Sequence, residues 1–121
     1  MRKQEDLENL IIYRKYVDLI MYVNHIVKKY PKHERYSLVN DTKEALYDGL
    51  KGVMKAQKEF DKNQRLHYLA DLDVSLKIQK VLIRVAYKNQ YINVNNYAAW
   101  SNKLTNISNL LGAWIKSCQR Q

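Results

Sequence analysis

The chain has 121 residues and a formal net charge of +9, with three glycines, one proline and one cysteine. This length suits one domain, and so few glycines and prolines exclude a turn-rich all-β fold and favour a few long helices joined by short loops. A single cysteine excludes an internal disulfide, and because we find no leader-like start and no long apolar run, we expect a cytoplasmic protein without a membrane span.

The positive charge is concentrated in the C-terminal part of the sequence. Residues 1–73 carry fourteen Lys and Arg and all twelve Asp and Glu, whereas the seven bases from Val74 onward are accompanied by no acid. An uncompensated positive surface is typical of proteins that bind a polyanion such as nucleic acid. The alternative is a solvated surface that only aids solubility.

The first helix is predicted from Leu10 to about Tyr30, because apolar residues recur there at near-heptad spacing. Its predicted buried row is Leu10, Tyr13, Val17, Ile20, Asn24 and Val27. We interpret Asn24, the one polar member, as a buried residue that sets the register of the bundle rather than as a binding site. Residues 1–8 alternate in charge and are expected to be a frayed lead-in.

Pro31 ends the first helix, because it has no amide hydrogen and restricts Tyr30 to an extended conformation. A second helix is predicted to start between Pro31 and Ser37 and to end at about Phe60. Its predicted buried residues are Leu38, Ala45, Leu46, Val53, Met54 and Phe60.

Two glycines, Gly49 and Gly52, lie inside the second helix. Each costs about 1 kcal/mol relative to alanine in a helix, so we expect that they allow a neighbouring backbone to come close. A phosphate-binding loop is not indicated, because no Walker pattern surrounds them.

After a polar loop at residues 61–64, a third helix is predicted from Arg65 to Lys88, and it is apolar on two faces. One face comprises Leu69, Leu72, Leu76, Ile83 and Ala86, and the other comprises Val74, Ile78, Val81, Leu82 and Val85. A small bundle can bury only one of these faces in its core. The apolar strip formed by Val74, Ile78, Val81 and Val85 is therefore a candidate oligomer interface.

Four bases of the third helix form a basic ridge between its two apolar faces: Lys77, Lys80, Arg84 and Lys88. Their spacing of three, four and four residues aligns them, so we predict that they bind the phosphate backbone of RNA or DNA. Tyr87 and Tyr91 lie beside the ridge in sequence and are candidates for stacking on bases. We also expect Arg35 and Asp73 to form a buried structural pair across the bundle.

Residues 89–96 interrupt the periodicity, and Asn95 or Asn96 can cap a final helix. Its apolar seam alternates intervals of three and four over Tyr97, Trp100, Leu104, Ile107, Leu111, Trp114 and Cys118. Four helices with short connections predict an all-α fold, an antiparallel up-down-up-down four-helix bundle formed by residues 1–121 as a single domain.

Metal and catalytic sites are not indicated by the sequence. Asp71 and Asp73 would point about 160° apart on a helix, and His25, His33 and His67 fall in three different elements without ligand spacing. No Ser/His/Asp or Cys/His arrangement can be argued either. We therefore expect neither catalytic activity nor a cofactor or metal.

Three segments resemble one family of four-helix bundles. They are residues 30–38 (YPKHERYSL), the run from Leu72 to Tyr87, and residues 110–117 (LLGAWIKS). Together they resemble the accessory variability determinant (Avd) of bacterial diversity-generating retroelements, whose relatives include proteins encoded in intervening sequences of bacterial large-subunit ribosomal RNA. The resemblance covers about residues 10–118, with the segments in the same order.

The resemblance implies a non-catalytic homo-oligomer, a pentameric barrel with a basic surface that binds nucleic acid and the reverse transcriptase of the element. Arg35 and Arg84 match arginines of the family motifs. An alternative is a structural or interaction protein of the intervening-sequence type, whose basic face meets an acidic protein or no specific partner.

Overall fold

The computed structural model describes the backbone of residues 3–121 and the side chains of residues 9–121. Over this part the chain forms α1 (Lys3–Ile26), α2 (Leu38–Lys58), α3 (Lys62–Lys88) and α4 (Val94–Gln119). Consecutive helices pack against each other and α1 also packs against α4, so the four form an antiparallel bundle. This confirms the predicted all-α fold. Residues 3–8 belong to α1, which begins seven residues before the predicted start at Leu10, and residues 1–2 of the expected lead-in lie outside the described residues.

Short connections join the helices. Two 3-10 turns, Val27–Lys29 and Lys32–Glu34, lie between α1 and α2, and Tyr30 between them has the predicted extended backbone, with φ −70° and ψ 150°. α2 begins at Leu38, just after the predicted window. Within the described part of the chain, no helix is both long enough and apolar enough to cross a membrane.

Side-chain caps set the starts of α3 and α4. The carboxylate of Asp61 accepts a hydrogen bond from the amide of Gln64 at 2.8 Å, so α3 starts at Lys62, within the predicted loop. The side-chain oxygen of Asn93 accepts a hydrogen bond from the amide of Asn96 at 2.8 Å. Asn93 therefore caps α4, instead of the predicted Asn95 or Asn96.

The buried face of α1 differs from the predicted one. Its buried row is Ile12, Tyr16, Leu19, Val23 and Ile26, whereas Leu10 is exposed. Asn24 lies near the surface and donates to the hydroxyl of Tyr47 at 3.1 Å, so its predicted role as a buried register residue is wrong. Two parallel rows of α1 have similar heptad spacing, and the bundle buries the row that contains Tyr16, together with Asn9, which precedes Ile12 on the same face.

The cores of the other helices follow the predictions more closely. All five predicted core residues of α3 are buried, and in the seam of α4 every residue from Trp100 to Cys118 is buried. Two residues that were predicted to be buried in the second helix are exposed instead: Met54 is 50% exposed and Phe60 is 85% exposed. Phe60 follows the end of α2 at Lys58 and so lies beyond the helical face that faces the core.

Beneath the middle of α2, a buried polar network joins three helices. The hydroxyl of Tyr16 donates to the carbonyl of Leu46 at 2.6 Å and accepts from the amide of Gln79 at 2.9 Å. Ser75 donates to the carbonyl of Ala45 at 2.7 Å. Burial raises the pKa of Tyr16 to about 12, so its hydroxyl stays protonated and can donate.

The two glycines of α2 allow side chains of the neighbouring helices to come close to its backbone. A Cβ at Gly49 would lie 1.9 Å from the Tyr16 hydroxyl oxygen, and a Cβ at Gly52 would lie 3.3 Å from the Cβ of Leu72. The prediction that they permit close packing is confirmed. At Gly49 the group that comes close is a tyrosine hydroxyl rather than a backbone.

A glutamate caps the start of α2. The side chain of Ser37, which precedes the helix, makes no capping bond. Instead Glu34 accepts hydrogen bonds from the Ser37 hydroxyl, from the Tyr91 hydroxyl at 2.7 Å and from the amide of Leu38 at 3.3 Å. These hydrogen bonds, with the one from Ser37 contributing most, hold the pKa of Glu34 below its usual value.

Alanine substitutions at two glycines should change stability in opposite directions. Gly49→Ala should lower the free energy of unfolding by about 1–3 kcal/mol, because its methyl group collides with a hydroxyl that two hydrogen bonds hold in place. Gly112→Ala, in α4, meets nothing within 4 Å and should raise stability by up to about 1 kcal/mol. Urea unfolding monitored by circular dichroism measures both. Equal effects of the two substitutions would contradict the close contact at Gly49.

Removing the Glu34 carboxylate should weaken the fold near neutral pH but not in acid. Because its pKa is lower in the folded chain, the charged form stabilises the fold above the unfolded-state pKa of about 4.3. This contribution is lost as the pH falls through the lower folded-state pKa. Glu34→Gln should therefore melt below the unmodified protein at pH 7, with the difference shrinking on acidification. Glu44→Gln removes an exposed carboxylate as the control, and a difference for Glu34→Gln that does not depend on pH would count against this assignment.

Candidate nucleic-acid interface

The basic ridge lies along the side of α3 that is nearer to α4. Lys77, Arg84 and Lys88 are exposed, and Lys80 is half-buried. Since successive residues of a helix are rotated by about 100°, all four fall within one sector. Tyr87 lies at the edge of this sector, and its ring stacks on that of Tyr97 in α4 with the ring centres 4.6 Å apart.

One end of the ridge carries less positive charge than the sequence suggested, because Lys77 forms an ion pair with Asp73 one turn earlier. The predicted buried pair of Arg35 and Asp73 is therefore wrong. Arg35 is exposed, and the side chain of Asp73 is 39% exposed. Lys77 is four residues from Asp73 on the same helix and so is the closer cation. The three bases from Lys80 to Lys88 form no ion pair with a described residue.

The apolar strip lies on the outer face of α3, opposite the core. Val74, Ile78, Val81 and Val85 are each between 40% and 57% exposed. Leu82, which the sequence placed on the same face, is half-buried against the core. Four adjacent aliphatic side chains on one exposed face form a patch of the kind that protein partners cover.

An acidic groove separates the strip from α2. This open groove of about 610 Å³ is lined by apolar side chains that include Val74 and Ile78. Its charged residues are Asp41, Glu44, Asp48, Lys51, Lys55 and Asp71. None of the three carboxylates at positions 41, 44 and 48 forms an ion pair with a described residue. The strip thus has acids on its α2 side and bases on its α4 side.

A second cavity, the end cavity, lies at the end of the bundle where the ridge stops. Its volume is about 640 Å³. Lys88 lines it together with Lys29, which follows α1, and both predicted stacking residues, Tyr87 and Tyr91, contribute to its wall. Polar groups come from the α3–α4 connection and from the first turn of α4, namely Gln90, Asn93 and Asn96. The structure therefore brings Tyr87, Tyr91 and Lys88 together.

The two tyrosines of the end cavity have different surroundings. Tyr91 packs on Tyr30 with the ring centres 5.5 Å apart, and its hydroxyl donates to Glu34, a hydrogen bond that raises the pKa of Tyr91. Tyr87 is covered by Tyr97 on one ring face and remains 36% exposed. Tyr87 is therefore the better placed of the two to stack on a base.

The shape of the α3–α4 connection depends on Gln90. Its φ of 64° lies in the left-handed region that favours glycine. The amide of Tyr91 bonds to the carbonyl of Ala86 at 2.9 Å, and the amide of Gln90 bonds to the carbonyl of Tyr87 at 2.9 Å. This pair of bonds is a Schellman motif, which ends α3 and turns the chain over the end cavity.

The acidic groove was not predicted from the sequence, and neither were Lys29, Gln90, Asn93 and Asn96 as residues of one site. The spacing of three and four residues between Asp41, Glu44 and Asp48 could have shown the acidic row. Lys29 lies far in sequence from the other residues of the end cavity, and no local pattern links it to them.

Other chemistry-bearing side chains are dispersed. In the described residues, no three His, Cys, Asp or Glu side chains form a group that could hold a metal ion. His67 lies beside Asp71 on the surface of α3, with 3.9 Å between nitrogen and oxygen. Cys118 is buried at the end of the α4 seam, as the heptad pattern predicted.

A comparison with protein-family models matches the sequence to one family. The sequence matches the bAvd-like family model over residues 10–118, which is nearly the whole chain. A comparison with curated proteins finds no match. The matched range contains α2 and α3 entirely, and with them the basic ridge and the apolar strip. The chain therefore belongs to the bAvd-like family.

Proposed function

We propose that this chain is a non-catalytic accessory protein of a diversity-generating retroelement, which binds RNA or DNA and the reverse transcriptase of the element through its basic surface. The observation that carries the proposal is the basic ridge, where Lys80, Arg84 and Lys88 lie in one sector of α3 without an ion-pair partner among the described residues. Membership of the bAvd-like family supports the accessory role.

The ridge suits a phosphate backbone. With a rise of about 1.5 Å per residue, Lys77 and Lys88 are separated by about 16 Å along the helix axis. A stacked nucleic-acid strand advances about 3.4 Å per nucleotide, so the ridge can follow about five nucleotides. Contacts of this kind position a strand but carry no sequence information. The ridge would therefore bind unrelated sequences with similar affinity.

Self-association through the apolar strip is a second part of the proposal. A ring of copies, five by resemblance to the family, would cover the strip and place one ridge on every subunit. A strand that reaches several ridges gains avidity without any new kind of contact. The assembly would then hold a long template more tightly than one subunit can.

Neutralising the ridge should reduce the salt dependence of binding. Labelled single-stranded RNA and duplex DNA are titrated at several salt concentrations with the intact protein and with a Lys80/Arg84/Lys88→Gln variant. For each phosphate that the variant no longer neutralises, the slope of log affinity against log salt should fall by about 0.7 to 0.9. Lys77 is left unchanged, because Asp73 already compensates its charge.

An Arg14/Lys15/Lys58→Gln variant is the matched control, since it removes one arginine and two lysines that are exposed on α1 and α2. Its slope should stay close to that of the intact protein. Equally reduced slopes in both variants, or no binding at about 50 mM salt, would favour the interaction protein of the intervening-sequence type over the nucleic-acid-binding role.

A charge in the apolar strip should dissociate the oligomer. Val81→Glu and Val85→Glu each place a carboxylate in an interface that would be dry, while the helix itself is exposed there and should keep its helicity. Light scattering at micromolar concentration measures the mass, and circular dichroism measures the helicity. Met21→Glu, at a position on α1 that is 70% exposed, is the control. A monomeric mass for the unmodified protein would refute self-association.

A further inference from the structure

The end cavity has the charge of a site for an anion. Lys29 and Lys88 come from two different segments and line the same cavity, and no Asp or Glu among the described residues lines it. Glu34 touches the wall residue Tyr91 from outside this lining, where it accepts hydrogen bonds from three donors. A negatively charged ligand would therefore meet two cations and no competing acid in its immediate surroundings.

An aromatic residue with a stacked ring, Tyr87, also lines the cavity. The parallel stack of Tyr87 on Tyr97 has an interplanar angle of 16° and holds the ring of Tyr87 in a fixed orientation. Tyr87 lines the cavity and Tyr97 does not, and with Tyr97 on one face of its ring Tyr87 remains 36% exposed. A third planar group can extend such a stack, and every nucleobase has a suitable face.

Amide side chains lie on the remaining wall. Gln90, Asn93 and Asn96 carry these amides, and all three residues line the cavity. Gln90 also keeps a left-handed backbone that glycine would adopt more easily. Amides of this kind can pair with the donors and acceptors on the edge of a base.

We propose that the end cavity binds a single unpaired nucleotide, with its base stacked on Tyr87, the edge of the base paired with Gln90 and Asn96, and its phosphate beside Lys29 and Lys88. The volume of about 640 Å³ lies within the usual range of small-ligand sites. The inference rests on the proposed function, because Lys88 belongs to both the ridge and the cavity. The ridge contacts only the phosphate backbone and reads no sequence, and the end cavity adds a preference for an unpaired base.

The cavity discriminates against duplexes. A base inside a duplex is stacked on both faces and paired along its edge, so it can reach Tyr87 only by leaving the stack. A loop, a bulge or a strand end presents such a base without that cost. A strand that follows the ridge past Lys88 arrives directly at the cavity.

The first experiment compares a short single-stranded RNA with the same backbone made abasic. Both are titrated by fluorescence anisotropy at a fixed low salt concentration, and then over a salt series. The intact protein should bind the base-bearing strand about 5- to 150-fold more tightly, which corresponds to one base–aromatic stack. Both strands should show the same salt dependence, because the phosphates are the same.

Two variants test whether residues of the end cavity cause the preference for the base-bearing strand. Tyr87→Leu keeps an apolar side chain against Tyr97 and should lose most of the preference with an unchanged salt slope. Gln90→Gly should lose part of the preference although glycine favours the left-handed backbone, so weaker binding cannot be attributed to misfolding. Tyr68→Leu is the control, at a half-buried tyrosine of α3 that lies about 28 Å from Tyr87 along the helix axis.

The second experiment separates a free nucleotide from a nucleotide within a strand. Uridine 5′-monophosphate, uridine and inorganic phosphate are titrated while the amide chemical shifts of the protein are followed by NMR. The monophosphate should shift the signals of Tyr87, Gln90 and Asn96 more than either fragment, and Tyr87→Leu should abolish the shifts. Shifts without any strand binding would support the cavity and overturn the ridge.

Two other results are decisive. Salt-dependent binding that is equally tight for base-bearing and abasic strands would overturn the end-cavity proposal and leave the proposed function standing. No binding of either strand, together with no shifts from the monophosphate, would overturn both.

Discussion

The arrangement of the bundle depends on the contact between the Tyr16 hydroxyl and the backbone of α2 at Gly49. A side chain at position 49 would occupy the place of this hydroxyl, and without the hydroxyl the amide of Gln79 would lose its bond at 2.9 Å. Buried polar groups are costly to leave unpaired, so the network favours a single orientation of α3 about its helix axis. In that rotation Ser75 and Gln79 face inward, and the apolar strip faces outward.

The positions of the proposed functional surfaces follow from this constraint. With α3 fixed by Ser75 and Gln79, its basic ridge lies toward α4 and its groove-facing side lies toward α2. The end cavity lies where α3 stops, because the left-handed Gln90 turns the chain back and places Asn93 at the cap of α4. A buried hydrogen-bond network thus determines which charges share a face on the outside of the molecule.

Much of the fold could be predicted from sequence periodicity, and the errors have physical causes. The α4 seam and both faces of α3 are visible in the sequence because one spacing separates apolar from polar residues there. In α1 two rows have nearly the same spacing, and only the packing of the buried row, in which Tyr16 bonds to Leu46 and Gln79, selects between them. The predicted Arg35–Asp73 pair does not form, because Lys77 lies four residues from Asp73 on the same helix and pairs with it instead. The ridge was predictable as a local pattern, whereas the end cavity joins Lys29 to residues about sixty positions later and depends on an unusual backbone angle.

The acidic groove and the basic ridge lie on opposite sides of one exposed apolar strip, so this face of the molecule has a transverse electric dipole. A polyanion that approaches it is attracted toward α4 and repelled from the carboxylates of Asp41, Glu44 and Asp48, which form no ion pairs with described residues. For the nucleic acid proposed as a partner, this field would turn the approaching chain before any contact forms and direct it away from the strip. The strip would then stay available for the proposed protein neighbour, and both partners would fit on the same face of α3 at the same time.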